Sequence, residues 1–101
     1  MSEYGLVFHA DTALDYDDAY YWYEEQQNGL GEKFIAAVNA LIQKILNNPE
    51  TYSVKSRPGY HEARVNNFPY SVVYRIYRRQ KFIFITSIHH HKKHPRKKYR
   101  K

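Results

Sequence analysis

Residues 70–89, YSVVYRIYRRQKFIFITSIH, alternate with a period of two on both sides of the polar Arg78-Arg79-Gln80-Lys81. Period two sends successive side chains to opposite faces, so residues 70–77 and 82–89 are predicted to form a β-hairpin. With Tyr77 opposite Phe82, the residues Val72, Tyr74, Ile76, Ile83 and Ile85 share an apolar face that needs a covering layer. Val73, Arg75, Tyr77, Phe82, Phe84 and Thr86 take the other face. Cations and aromatics mix there, which suits either the outside of a half-covered sheet or a groove for something negatively charged. Residues 60–65 keep the same period and are predicted to add a further antiparallel strand.

The covering layer is legible upstream. Leu30, Phe34, Ala37, Val38, Leu41, Ile42 and Ile45 recur at helical spacing. Burying the large ones from Phe34 to Ile45 contributes on the order of 10 kcal/mol before chain entropy is counted. Asn47-Asn48-Pro49 ends this helix, because proline disfavours helical geometry in the residue before it and has no N–H of its own. A preceding helix is predicted from about 12 to 28, capped by Asp11 or Thr12, with Asp15, Asp17 and Asp18 near the positive end of its dipole. Ala13, Tyr16, Ala19, Tyr20, Tyr23 and Gln27 form its buried stripe, whereas Tyr21 and Trp22 point off it and need another partner. Asn28-Gly29 makes the connection short, so the helices pair as an antiparallel hairpin. Residues 4–9 read as a short first strand, with Leu6 and Phe8 on one face and Val7 on the other. The order β-α-α-β-β-β predicts a two-layer α+β domain, an antiparallel sheet packed against a helical hairpin.

Composition bounds the function. A chain of 101 residues builds one core and excludes a two-domain enzyme with an interdomain cleft. The absence of cysteine removes disulfides, thiolate metal sites and thiol nucleophiles. No signal-peptide pattern opens the sequence, and no run approaches the roughly 20 apolar residues of a membrane span, so a soluble, cytoplasmic protein with no membrane partner is expected.

Charge is unevenly divided. Residues 1–50 hold nine acids against Lys33 and Lys44, a net of −7, while residues 51–101 hold fourteen bases against Glu62, a net of +13. The end of the chain carries Lys92, Lys93, Arg96, Lys97, Lys98, Arg100 and Lys101 with no acid among them. Such a tail attracts polyanions, nucleic acid first, through counterion release; the alternatives are a solvated tail or a grip on an acidic protein.

No phosphate-cradling loop, nucleophile elbow or zinc-protease helix is present, and neither a metal nor a cofactor is expected. The chemical lead is the run His89-His90-His91 and His94 beside these cations, where a histidine of low pKa can serve as a neutral base. RNA cleavage needs a base for the 2′-OH, a cation for the phosphorane and an acid for the leaving 5′-oxygen. The candidates are His90 or His91 as acid or base, Arg64 and Arg75 as phosphate clamps, and Tyr99 as a stacking or proton-donating group. Strand alternation lets only part of the histidine run face one site.

The sequence resembles the RelE/ParE superfamily of bacterial toxins from type II toxin-antitoxin systems. The likeness spans nearly the whole chain. It rests on Ala13 and Asp15, Trp22-Tyr23-Glu24-Glu25-Gln26, Gly29-Leu30-Gly31 with Phe34, Asn48-Pro49, Arg64, Phe68-Pro69-Tyr70 with Val73-Tyr74-Arg75, and His90 followed by Lys92-Lys93-His94-Pro95. The resemblance implies a RelE/ParE-like fold over residues 1–91, a basic tail over 92–101, and a toxin held in check by a cognate antitoxin. RelE-like members cut mRNA on the ribosome; ParE-like members poison DNA gyrase. Several RNA-cleaving relatives carry arginine where this sequence has Ser71, which weakens the nuclease pattern. Ribosome-dependent mRNA cleavage is the first expectation, with gyrase inhibition and a non-catalytic antitoxin-binding module as alternatives. Lys92, Lys93, Arg96, Lys97, Lys98 and Arg100 are the expected nucleic-acid contacts. Tyr21 and Trp22 are expected on the antitoxin-binding surface.

Overall fold

The computed structural model describes residues 3–52, 57–93 and 98–101. Its elements are β1 (Gly5–Phe8), α1 (Thr12–Gln26), α2 (Leu30–Asn47), a short 3-10 turn (Pro49–Thr51), β2 (His61–Arg64), β3 (Tyr70–Tyr77) and β4 (Phe82–His90). The strands lie in the order β1-β4-β3-β2. β2, β3 and β4 pair antiparallel, as expected, but β1 joins β4 in parallel, so the sheet is mixed. The helical hairpin between β1 and the later strands carries the chain back across one face. That crossover makes a parallel pairing possible.

The predicted facial division of the hairpin is observed. Val72, Tyr74, Ile83 and Ile85 are fully buried and pack with Phe34, Val38, Ile42 and Ile45 of α2. Phe34 lies against Tyr23, Phe68 and Tyr70 with ring centroids 4.8 to 5.4 Å apart. The buried Tyr74 hydroxyl donates to Pro49 O at 2.7 Å, satisfying the one polar atom of that ring in the core and tying the end of α2 to the sheet.

Two details of α1 and α2 depart from the simplest expectation. Asp11 stands at the N-cap of α1 without a side-chain capping bond; Thr12 Oγ1 instead donates to His9 O at 2.6 Å. The hairpin turn passes through Gly29 at φ 87°, where an L side chain is strained. The N–H groups of Gly29 and Gly31 then donate to the Glu24 carboxylate at 3.2 and 2.8 Å, so α1 supplies the cap that α2 lacks. Gly31 is required for this approach, since a Cβ there would lie 2.6 Å from Tyr20 O. Among the described residues, no helix is long and apolar enough to cross a membrane.

Candidate functional site

The arrangement of the histidines is decided by an irregularity in β4. Val73 pairs with Ser87 and Tyr74 with Ile85, leaving Thr86 as an extra residue on β4. This bulge advances the side-chain parity by one. Ile88 and His90 therefore face the helices, opposite Val72 and Tyr70, while His89 joins Ser71 on the outer face. Strict alternation from Phe84 puts His90 on the outer face with Arg75; the bulge sends it to the other side. As neighbours His90 and His91 face opposite sides in either case; the bulge decides that His91 is the one beside Ser71.

His90 packs edge-on against Tyr70 at 4.9 Å and lines a groove of about 610 Å³ with Asp18, Trp22, Tyr23, Pro69, Lys92 and Lys93. Desolvation, then Lys93 and Lys92, hold its pKa below the ordinary histidine value. Trp22 and Tyr21 are 57% and 64% exposed, so the covering partner expected for them is not provided within the described chain. Lys92 and Lys93 are exposed in the turn that follows β4, with the Lys92 N–H donating to His90 Nδ1 at 3.0 Å.

On the outer face, His91 Nε2 and Ser71 Oγ are hydrogen-bonded at 2.9 Å, and the His91 N–H donates to Pro69 O at 2.9 Å. Desolvation, Arg64 and His90 lower the His91 pKa, which keeps the ring neutral near pH 7. Arg64, exposed at the end of β2, pairs in register with Ser71 and lies on this same face. Arg75 shares the face too but sits four residues farther along β3, roughly 13 Å from Ser71 at the rise of a strand. Its guanidinium lies over Tyr60 at 4.9 Å and Tyr77 at 5.6 Å.

The end of the chain crosses between these two groups. Thr86 Oγ1 and Ser87 Oγ donate to Lys98 O at 3.3 and 2.9 Å, and Tyr60 Oη donates to Arg100 O at 3.3 Å. Lys98 Nζ meets Glu62 at 2.6 Å, and the Tyr99 hydroxyl donates to Glu62 at 3.2 Å. Arg100 spans to α1, where it holds Asp15. Val73, Thr86 and Ser87 are buried along this path, as are Ser71 and His89 on the same face, whereas Arg75, Tyr77, Phe82 and Phe84 farther along are half-buried. Lys98 and Arg100, expected to contact nucleic acid, are thus engaged in internal ion pairs. Arg96 and Lys97, with His94, lie outside the described residues.

Of the five residues expected in one catalytic centre, His91 and Arg64 come together, Tyr99 and Arg75 border the same Tyr60 ring farther along, and His90 is on the opposite face. The sequence reading missed Glu62 and Asp15 as anchors for the tail. Its one available signal was that Glu62 is the sole acid in the basic second half. Among the described residues, no group of three or more histidines and carboxylates is arranged to hold a metal ion.

Residues 6–95 match the family described as the ParE toxin of type II toxin-antitoxin systems, parDE. The chain belongs to the ParE toxin family. Among solved structures, this ParE-family toxin is similar to the chromosomal ParDE system of P. aeruginosa, at 18% identity and a TM-score of 0.75, covering 87% of this chain and 96% of that one. It is also similar to a mutant E. coli toxin RelE in complex with a peptide of the antitoxin RelB, at 16% identity and a TM-score of 0.62, over 85% and 81% of the two chains. The free form of that RelE mutant gives 16% identity and a TM-score of 0.53, over 87% and 82%. At these identities the shared property is the fold. No curated protein matches the ParE-family chain in sequence.

Proposed function

We propose that this toxin arrests growth by the ParE-like route, binding and poisoning DNA gyrase, and that a cognate antitoxin holds it inactive. The observation that carries this reading is the path of Lys98, Tyr99 and Arg100 over the middle of the outer sheet face. An RNA strand clamped by both Arg64 and Arg75 would have to pass through that space. Ser71, where the resemblance implies an arginine in several RNA-cleaving relatives, and the turn of His90 to the opposite face weigh in the same direction.

The test is brief induction without antitoxin. A DNA-damage response with cleaved DNA trapped on gyrase is expected before translation falters. Translation arrest on intact DNA overturns the proposal.

Ribosome-dependent mRNA cleavage is the second reading, favoured by one observation. His91 is hydrogen-bonded to Ser71, and desolvation, then Arg64, His90 and Lys98, hold its pKa below the ordinary histidine value. A base beside positive charge suits abstraction of a 2′-OH proton and stabilisation of the phosphorane. In this reading the base is His91, and Arg75 has no part in the chemistry.

A further inference from the structure

The outer face has a second region, at the end of the sheet remote from His91. Two cross-strand rows define it: Val7, Phe84 and Arg75, and beside them Gly5, Phe82 and Tyr77. Gly5 carries no side chain, so Phe82 borders an open ledge on the β1 side. Val7 is 45% exposed, and Tyr77, Phe82 and Phe84 are half-buried. β1 is the outermost strand and is exposed along its whole length. Between Gly5 and Phe8 it has neither the charge nor the proline that ordinarily protects an edge from pairing.

The cations here differ from the ion-paired ones elsewhere on the chain. Arg57 and Arg75 are positioned by aromatic rings, Arg57 over Tyr60 and Tyr99 at 5.7 and 5.5 Å and Arg75 over Tyr60 and Tyr77. Among the described residues, neither has a carboxylate partner, whereas Arg78, Lys81, Lys98 and Arg100 each do. Pre-oriented, unpaired guanidinium groups beside apolar rings lose little freedom on meeting a carboxylate, and this combination recurs at the energetic centres of protein interfaces.

We infer that this surface is where the toxin grips the protein it inhibits. The partner is acidic, setting apolar side chains against Val7, Phe84 and Phe82 and carboxylates against Arg57 and Arg75. Ring orientation favours a protein over single-stranded nucleic acid. Tyr77 and Phe82 are stacked on each other at 4.6 Å and 12°, Phe84 meets Tyr77 edge-on, and guanidinium groups flank Tyr60 and Tyr77. Bases need free ring faces to stack on, and much of that area is already used internally. The inference rests on the proposed function only in taking the inhibited partner to be a protein.

The experiment uses the full chain with Val7→Lys, Arg75→Glu and the double substitution, each checked by thermal melting. Growth arrest at matched expression should be lost in the double variant, and affinity of the purified chain for intact DNA gyrase should fall by roughly tenfold or more. If Arg75→Glu does not fold, Val7→Lys on the exposed edge decides alone. Undiminished growth arrest in the folded variants overturns the inference. Loss of growth arrest with no wild-type affinity for gyrase keeps the surface and removes gyrase as the target. Weakened binding of a labelled single-stranded oligonucleotide, with growth arrest unchanged, reassigns the surface to nucleic acid and also overturns it.

Discussion

Arg100 holds Asp15 with both terminal nitrogens of its guanidinium, at 2.7 and 3.0 Å, joining the next-to-last residue of the chain to the first helix. The same carboxylate accepts the Ile88 N–H at 2.9 Å, on the edge of β4 beyond the reach of β1. Each side chain of the pair is only 15% exposed. Asp15 therefore satisfies a sheet-edge donor and anchors the tail at once, a role that its position in the first turn of α1 does not reveal.

Arg100→Ala should destabilise the fold by roughly 1–3 kcal/mol, because it leaves a largely desolvated carboxylate without its cation and frees the tail. Urea unfolding would measure this, and Asp15→Asn should show a comparable loss. A change below about 0.5 kcal/mol in both variants would mean that the pair is solvent-screened.

Stability should fall on acidification from the ordinary histidine pKa of 6.5 downwards. His89, His90 and His91 all have lowered pKa values, with burial the first cause in each. The unfolded chain then binds more protons than the folded one in that window, so protonation favours unfolding. The contribution is complete above 6.5 and is lost as pH drops through the folded-state values. His89 is the most buried of the three, and His89→Gln should flatten the slope of unfolding free energy against pH more than His90→Gln does.

Gly31→Ala should cost about 1–3 kcal/mol despite the better helix propensity of alanine, since the new methyl group meets the Tyr20 backbone oxygen and must part the hairpin. Gly5→Ala, whose Cβ comes no closer than 3.8 Å to its neighbours, is the control and should unfold within about 0.5 kcal/mol of the parent.

If cleavage of translated mRNA is detected, His91→Ala should abolish it while His90→Ala leaves it largely intact. Primer extension on ribosome-bound message distinguishes the two. The reverse result would place the chemistry in the Trp22 groove.

Trp22→Ala should leave stability within about 0.5 kcal/mol but weaken antitoxin binding by roughly tenfold, the behaviour of an exposed aromatic anchor. Calorimetry with the cognate antitoxin reads the affinity. Unchanged binding would exclude this face from the complex.

The element order, the helical hairpin and the apolar face of the β3–β4 hairpin were legible in the sequence, because periodicities of two and 3.6 are local properties of the chain. Val72, Tyr74, Ile83 and Ile85 announce their common face within a few residues of one another. Three features came only from the tertiary structure. β1 lies parallel to β4 because the crossover through α1 and α2 determines how it returns. The Thr86 bulge, which no local pattern marks, reverses the orientation of every later side chain and so turns His90 toward the helices and His91 outward. Residues 98–100 lie on the sheet because Glu62 and Asp15, remote in sequence, offer carboxylates where Lys98 and Arg100 arrive. Charge composition specifies how strongly a segment seeks an opposite charge, but only the folded chain decides whether it finds one within the same molecule or on a partner.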